Sequence, residues 1–269
     1  MLNAIASNLD VSVETVELFS LALVRILSMI YIMPFLASSS VIPNTVKIGL
    51  SFFLALIAYP QLPAVGFVIG NSPIFFFILV LEQVIIGLLI GFTCTYIFHF
   101  IAVGGFLISR DIGISMGGTS DPIQDESADE LTVLLLLIFS LFFLVRGYHH
   151  YFIRVLLDSF QYIPLGHFNW DFLPVARVLC LMSAAAIVTG VKLAAPCMIA
   201  LLMTTLGMAL TARVMPQMNV WIVAVPLKVV IGIVILWESF PLMTMLFDDN
   251  FKQVLEGISY MLRNGATHG

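Results

Sequence analysis

The sequence has little charge for its length. Only 10% of its 269 residues are charged, whereas about 25% are charged in an ordinary soluble domain. Hydrophobic residues make up 61%, and the mean hydropathy is +1.09. The 11 basic residues form no run and the net charge is −5, so the electrostatic footprint of a nucleic-acid-binding protein is missing. The composition places the chain among membrane proteins and argues against nucleic acid as a partner.

The chain also lacks the usual signatures of catalysis and metal binding. It has no G-x-x-x-x-G-K-[ST] motif and no dinucleotide-binding fingerprint, so no phosphate site is predicted. Three widely spaced cysteines in apolar surroundings are predicted to be small buried residues: Cys94, Cys180 and Cys197. The adjacent pair His149 and His150 is predicted to point its rings to different helix faces, unlike the i, i+4 spacing of helical zinc ligands. We therefore predict no cofactor and no metal.

Long apolar runs predict an all-α, membrane-associated protein of about six to seven bent helices and hairpins. Gly87 and Gly91 form a GxxxG step, which predicts that a neighbouring helix approaches closely. The first cation, Arg25, lies inside the first apolar run, so no cleaved signal peptide is expected. The last helix is amphipathic and is expected to lie on a surface or a partner. The expected helices span residue 10 or 12 to 34, 45–58, 72–108, 131–159, 175–192, 196–213, 219–247 and 251–263.

Five ionisable side chains lie inside these apolar helices: Arg25, Lys47, Glu82, Lys192 and Lys228. Each is expensive in hydrocarbon and is expected to face protein or water. They either pair inside one bundle or pack against other subunits of a larger assembly, and we favour the assembly. Glu82 has two further interpretations, a hydrogen bond or ion pair between helices and a proton-relay carboxylate. The second would make the chain an ion-coupled membrane transporter that uses Glu82 with Arg25 or Lys228.

A polar, glycine-rich segment, 104–130, interrupts the apolar helices. It holds five of the 18 glycines and six of the 16 acidic residues. Unpaired backbone groups would each cost several kcal/mol in lipid, so the segment is expected in water or inside an assembly or pore. Its first part is apolar and its glycines allow movement, which fits a gate or plug as well as a plain loop. The G-x-S-x-G match around Ser115 also fits a serine protease with His99, His149 or His150 as base, although short matches in glycine-rich loops are common.

Three segments together resemble the FliR family, the flagellar relative of the SctT-type export-gate proteins of bacterial type III secretion. The first segment is 104–122, with G-x-S-M and Asp121-Pro122, and the second is 142–166, with Gly-x-His-His and Pro164-Leu165-Gly166. The third is 194–232, with Pro216-Gln217-x-Asn219 and Pro226-Leu227-Lys228. This third segment is the most specific.

The resemblance implies a non-enzymatic subunit of the flagellar export gate. Such proteins join FliP and FliQ in a closed helical assembly, through which unfolded flagellar subunits pass. Residues 1–170 would form a FliP-like helical half and residues 171–269 a FliQ-like helical hairpin half with the amphipathic C-terminal helix. The implied location is the bacterial inner (cytoplasmic) membrane at the flagellar basal body. The resemblance also implies an FlhB-type export switch protein, an FlhA-type export protein and membrane lipid as partners. It further implies that part of the chain lies above the plane of the bilayer.

The resemblance also assigns roles to residues. The family's central loop projects into the pore and helps to close it, which places a plug at residues 106–118. Residues 213–219 would form the tip of the FliQ-like hairpin. The expected plug residues are Phe106, Ile112, Gly113, Ile114, Ser115, Met116, Gly117 and Gly118. The residues expected to pack against other subunits are Arg25, Glu82, Lys192, Arg213, Pro216, Gln217, Asn219 and Lys228.

Overall fold

The computed structural model of the chain describes residues 13–33, 43–62, 73–113, 129–165, 172–215, 217 and 220–265. Within these ranges the chain forms seven α-helices, one short 3-10 helix at Tyr59–Gln61 and no strand. The all-α prediction is confirmed. The α-helices are α1 (Val13–Ile32), α2 (Asn44–Ala58), α3 (Pro73–Ile112), α4 (Glu130–Val145), α5 (His149–Tyr162), α6 (Phe172–Val214) and α7 (Val220–Gly265).

Among the described residues, four helices are long and apolar enough to cross a membrane. The apolar stretches are Thr15–Ile32, Ile74–Ile112, Val175–Val214 and Ile222–Leu262. A fifth span results if the bent pair α4 and α5 counts as one. A helix that spans a bilayer needs about 20 apolar residues, so α3, α6 and α7 are longer than one crossing requires.

Two predicted helix boundaries are wrong: α6 continues through a proline, and α7 continues through the polar residues 248–250. The expected pair 175–192 and 196–213 is the single helix α6, with Pro196 inside it. The expected pair 219–247 and 251–263 is the single helix α7, with Pro226 and Pro241 inside it. A proline removes one helical hydrogen bond, whereas a helix end leaves several backbone groups without partners. In apolar surroundings the continuous helix is therefore the less costly choice.

Glycine in the left-handed region sets two other boundaries. The predicted helix 131–159 is broken into α4 and α5 at residues 146–148, where Gly147 has φ of 71°. The predicted end of α3 at residue 108 is too early, since the helix continues to Ile112 and stops at Gly113, which has φ of 87°. The Gly113 N–H donates to the Ser109 carbonyl over 3.1 Å, as in an αL helix cap.

Spatial proximity divides the chain into two compact units. Unit 1 consists of Met1–Thr95, Arg146–Cys180 and Val254–Gly269, and unit 2 of Tyr96–Val145 and Leu181–Gln253. Helices α3, α6 and α7 each contribute to both units. Each unit is made of separate stretches of the sequence, whereas the predicted halves 1–170 and 171–269 are each continuous. The division into these two halves stays a prediction.

Unit 1 is built on a close approach of α1 to α3. A Cβ on Gly87 would overlap the Arg25 carbonyl oxygen and the Ser28 hydroxyl, and one on Gly91 would lie 2.8 Å from the Met29 carbonyl oxygen. The helix contact predicted from the GxxxG step is thereby confirmed. The expected amphipathic face of residues 251–263 is buried, and within unit 1 Met261 contacts Thr93 of α3.

Unit 2 has a core of phenylalanine rings. The Phe247 ring centroid of α7 lies 6.3 and 6.1 Å from those of Phe98 and Phe100 on α3. It lies 5.4 and 5.5 Å from those of Phe139 and Phe142 on α4. These separations are typical of favourable aromatic pairs. Phe247 thus joins three helices.

The cysteine prediction is confirmed for two of three residues. Cys94 and Cys197 are buried, but Cys180 is exposed. Cys180 lies on α6, where its neighbour Leu181 is also 64% exposed, so this part of the helix faces outward. An apolar sequence environment does not distinguish a helix face that packs on the same chain from one that does not.

Candidate functional site

The candidate site is the pair of helix ends that flank residues 114–128, namely the last turns of α3 and the first turn of α4. Ile112, the last residue of α3, has no exposed surface. Its side chain lies against Gly232 of α7, where an added Cβ would come within 2.7 Å of Ile112 Cδ1. Gly113 then ends the helix with φ of 87°.

Three further glycines bring helices of unit 2 close to this end of α3. A Cβ on Gly105 would lie 3.0 Å from the Cα of Thr132, in the first turn of α4. One on Gly104 would lie 2.5 Å from Leu193 Cδ2 of α6, and one on Gly190 would lie 2.8 Å from the Phe100 carbonyl oxygen. Glycine permits such backbone contacts because it has no side chain to separate the helices. The glycines at the start of the predicted interruption therefore serve helix packing and do not break α3.

Two buried hydroxyls lie at the same place. Ser109 Oγ and Thr132 Oγ1 have no hydrogen-bond partner in the described part of the chain. Other buried helical hydroxyls donate to the carbonyl one turn earlier, as Ser51 does to Lys47 and Thr93 to Leu89. The packing at the α3–α4 contact is therefore polar as well as close.

The three expected plug residues that the structure describes differ in exposure and position. Phe106 is 50% exposed, Ile112 is fully buried, and Gly113 forms the helix cap. In this structure Ile112 has no free apolar surface to offer to a pore. The remaining expected plug residues lie outside the described residues: Ile114, Ser115, Met116, Gly117 and Gly118.

A second polar cluster, in unit 1, surrounds Arg25. This side chain is fully buried. Its Nε donates to Gln83 Oε1 over 2.7 Å, Nη1 to the Ser159 carbonyl over 3.1 Å, and Nη2 to the Ile163 carbonyl over 3.0 Å. The guanidinium also lies 4.5 Å from the centre of the Phe160 ring. Arg25 therefore lies at the C-terminal end of α5, where a positive charge is favoured. The Ser159 carbonyl accepts from the Ile163 N–H as well, whereas the Ile163 carbonyl lies beyond the last residue of the helix.

Glu82 lies beside this cluster without sharing its hydrogen bonds. The residue is only 6% exposed, and neither carboxylate oxygen has a hydrogen-bond partner in the described ranges. Arg25 bonds to Gln83 and not to Glu82, although Coulombic attraction between Arg25 and Glu82 is present. Lys47, another cation inside the apolar helices, is buried with its Nζ 5.3 Å from the centre of the Tyr31 ring.

The remaining residues expected to pack against other subunits lie mostly on the surface. Lys192, Arg213 and Gln217 are exposed and Lys228 is partly buried. Pro216 and Asn219 lie outside the described residues. Thus the structure brings Arg25 and Glu82 into the interior of unit 1 and leaves the cations of α6 open to solvent or to a neighbour.

Sequence reasoning missed three residues of these clusters and one exposed acid outside them. Gln83 and Ser159 hold Arg25, and Gly232 receives Ile112. Glu238 is an exposed acid in the middle of α7. Two of these residues could have been found from the sequence, because Glu238 is a charge inside an apolar run and Gln83 is an amide next to Glu82. Nothing local distinguishes Ser159 or Gly232, because their partners are distant in sequence.

The histidine pair differs from its prediction. The ring centroids of His149 and His150 are 4.0 Å apart, with the ring planes tilted by 41°, so the two rings contact each other and do not point to different faces. The pair forms the start of α5, where no preceding helical turn restricts the side chains. No group of three or more His, Cys, Asp or Glu side chains that could hold a metal ion occurs among the residues that the structure describes.

Comparison with known families identifies the chain. Residues 16–254 match the model of the family described as bacterial export proteins, family 1. The chain belongs to this family. The match covers α1 to α6 and most of α7, so it includes both units and the ends of α3 and α4 that form the candidate site.

Individual relatives agree with this family assignment, and those named below are FliR proteins. The flagellar biosynthetic protein FliR of Buchnera aphidicola subsp. Schizaphis graminum is 30% identical over 88% of this chain and 91% of its own length. FliR of Escherichia coli is 28% identical over 88% of this chain and 90% of its own length. FliR of Aquifex aeolicus is 28% identical over 89% of this chain and 92% of its own length. The predicted FliR membership is confirmed.

The family and the structure together establish a coarse function. The chain is a membrane-located member of a family of flagellar export proteins. This family is one of export components and is not an enzyme family.

Proposed function

We propose that this chain is a non-enzymatic core subunit of the flagellar protein-export gate. It assembles with FliP and FliQ into a closed helical conduit in the inner membrane, at the flagellar basal body. Unfolded flagellar subunits pass through that conduit, and FlhB-type and FlhA-type proteins act beside it. Other components, an ATPase and the proton gradient, supply the energy.

The observation that carries this proposal is the exposure of charge on long apolar helices. Lys192 near the middle of α6 and Glu238 near the middle of α7 are both exposed. Charged side chains at the centre of a lipid-facing helix are costly. The same helices expose large apolar side chains, among them Ile199, Leu202 and Trp237. A surface that mixes such groups suits a neighbouring protein subunit better than lipid.

The most apolar part of α7 is also little covered by its own chain. Only 11% of the most apolar 18-residue window of α7 is buried, against 39% of the corresponding window of α3. Helices α6 and α7 run antiparallel within unit 2, because Leu201 lies beside Gly232, where an added Cβ would come within 3.9 Å of it, and Cys197 lies beside Ser239. This pairing supports the FliQ-like hairpin, and we assign Arg213, Gln217 and Lys228 to contacts with neighbouring subunits.

We assign the seal to Phe106, near the end of α3, and to residues that follow this helix in the sequence. Phe106, on the last turns of α3, supplies exposed apolar surface. By residue type, Ile114 and Met116 are assigned to the same apolar surface, and Gly117 and Gly118 are assigned as its hinge. Ile112 holds the end of α3 and is not part of the sealing surface. The central segment then closes the conduit between export events.

Deletion of residues 114–118 tests the seal. A deletion limited to this range spares α3 and its cap at Gly113. Cells carrying the variant with FliP and FliQ should lose internal potassium faster than cells with the intact chain, while the complex keeps its mass. The matched control is Ser115→Ala, which would abolish a serine protease but should leave the barrier and export unchanged. Unchanged potassium retention in the deletion variant would contradict the seal.

Ion-coupled transport remains a second candidate because of one observation. Glu82 is a buried acid whose carboxylate oxygens have no hydrogen-bond partner among the described residues, and such acids mark proton paths in transporters. Arg25, the cation proposed to act with it, is already committed to Gln83, Ser159 and Ile163. This candidate also requires that the chain work without partner subunits.

A further inference from the structure

The middle of α7 carries an exposed acid next to an exposed indole. Glu238 is exposed, and its neighbour Trp237 is 81% exposed. Among the described residues, no cation forms an ion pair with the Glu238 carboxylate. The residues one turn before and one turn after it, Val234 and Leu242, are exposed and apolar. An unpaired carboxylate within such a surface is costly both in lipid and against an apolar partner.

A proline adds a second acceptor at the same place. Pro241 lies inside α7 and has no N–H, so the Trp237 carbonyl, four residues earlier, lacks its usual helical donor. The nearest hydroxyls of this helix do not replace that donor, because Ser239 donates to the Ile235 carbonyl and Thr244 to the Pro241 carbonyl. This part of α7 therefore offers two acceptors, a carboxylate and a carbonyl, on adjacent residues.

These groups together suit a cation with several N–H donors. A lysine or arginine side chain can donate to a carboxylate and to a carbonyl at once. The face of an indole ring attracts the same cation. Lipid tails offer neither a donor nor a positive charge, and an uncharged apolar helix offers no counter-charge. Charge complementarity therefore favours a basic side chain that a partner presents within an apolar surface.

We propose that Trp237, Glu238 and the Trp237 carbonyl left free by Pro241 form a docking site for a basic side chain in an apolar helix of a partner subunit. This inference rests on the proposed function, since it describes one contact within the export gate. The cation bonds to the Glu238 carboxylate and to the carbonyl, and the Trp237 ring packs beside it. The ring excludes water from the contact, which strengthens the attraction between the charges.

A photoreactive residue identifies what occupies the site. The Trp237→p-benzoylphenylalanine variant is irradiated in the complex with FliP and FliQ, and the adducts are mapped by mass spectrometry. The captured segment should belong to FliP or FliQ and should contain Lys or Arg within one helical turn of the captured residue. Adducts only to lipid, to a second copy of this chain or to a segment without a basic residue would overturn the proposal.

Reversal of the charge tests the ion pair. Glu238→Lys should lower the amount of the captured partner recovered per chain about tenfold, since two cations then face each other. Replacement of the partner's basic residue by Glu should restore that recovery. The matched control is Glu256→Lys, because Glu256 is also an exposed acid of α7 but has Lys252 one turn before it. The control should leave recovery unchanged, and an equal loss in both variants would overturn the assignment of the site to Glu238.

Restoring the missing N–H tests the carbonyl. Pro241→Ala provides a helical donor for the Trp237 carbonyl, so the cation loses one acceptor. Recovery of the captured partner should fall about threefold, although alanine favours the helix itself. A merely structural role of Pro241 would leave recovery unchanged or raise it, and the carbonyl would then have no part in the site.

The two proposals fail differently. If Glu238→Lys assembles with FliP and FliQ as completely as the intact chain, the docking site is overturned and the export-gate assignment stands. If the intact chain itself recovers neither partner, the export-gate assignment is wrong, and the docking site is lost with it.

Discussion

The two units are stabilised by different interactions. In unit 1 a single buried cation, Arg25, links α1 to α3 and to the end of α5 through hydrogen bonds from all three of its nitrogens. In unit 2 the corresponding joint between α3, α4 and α7 is the Phe247 ring. Hydrogen bonds are directional and leave costly unpaired groups when broken. Ring contacts are less directional and tolerate repacking.

The candidate site belongs to unit 2. The glycine contacts at the end of α3 and the rings around Phe247 both lie in unit 2, whereas the buried ion and its partners belong to unit 1. A part of the molecule that opens and closes must change its packing without stranding buried polar groups. An apolar core can do so, whereas a fully bonded arginine fixes one arrangement.

The largest expected effect comes from breaking the joint of unit 1. Arg25→Met keeps much of the volume but leaves Gln83 Oε1 and the Ile163 carbonyl without their donor, while the Ser159 carbonyl keeps only the Ile163 N–H. We expect a loss of about 3–5 kcal/mol in the free energy of unfolding, as for a buried polar network that loses one partner. Urea unfolding of the detergent-solubilised complex measures it.

The control for this variant is Arg177→Met, because Arg177 is an exposed arginine of the same unit. It should change the stability by less than about 0.5 kcal/mol. Equal effects of the two substitutions would show that the bonds of Arg25 do not hold unit 1 together. Arg25→Lys should recover little, because an ammonium group cannot reproduce the planar set of donors.

A smaller effect is expected from the matching change in unit 2. Phe247→Leu keeps an apolar side chain of similar size at the joint, so the surrounding rings can repack around it. The free energy of unfolding should fall by about 1 kcal/mol, and the same urea titration measures it. A loss as large as that of Arg25→Met would show that unit 2 depends on specific ring geometry, and the contrast between the units would not hold.

Much of the architecture could be predicted from the sequence because it depends on local patterns. The apolar runs predict helices, and α2 at Asn44–Ala58 agrees with the expected 45–58. The GxxxG step at Gly87 and Gly91 correctly predicts a close helix neighbour. The motifs of three segments indicate the FliR family, and residues 16–254 match the family of bacterial export proteins.

The rest depends on contacts between distant residues. A proline signals a possible helix end, but whether the helix continues through Pro196 depends on what surrounds the lost hydrogen bond. The sequence predicts that Arg25 needs partners, but not that the carbonyls at the end of α5 provide them. Likewise Ile112 belongs by its sequence pattern to an apolar loop, and only the approach of Gly232 shows that its side chain is already packed.

The most direct test is the mass of the chain purified in mild detergent after co-expression with FliP and FliQ. An export-gate subunit should be recovered in one large complex that contains several copies of both partners. Its exposed apolar helices and the charges of Lys192 and Glu238 should be protected from exchange and labelling there. Recovery of the chain as a stable, monodisperse single polypeptide, with neither partner bound, would contradict the assignment.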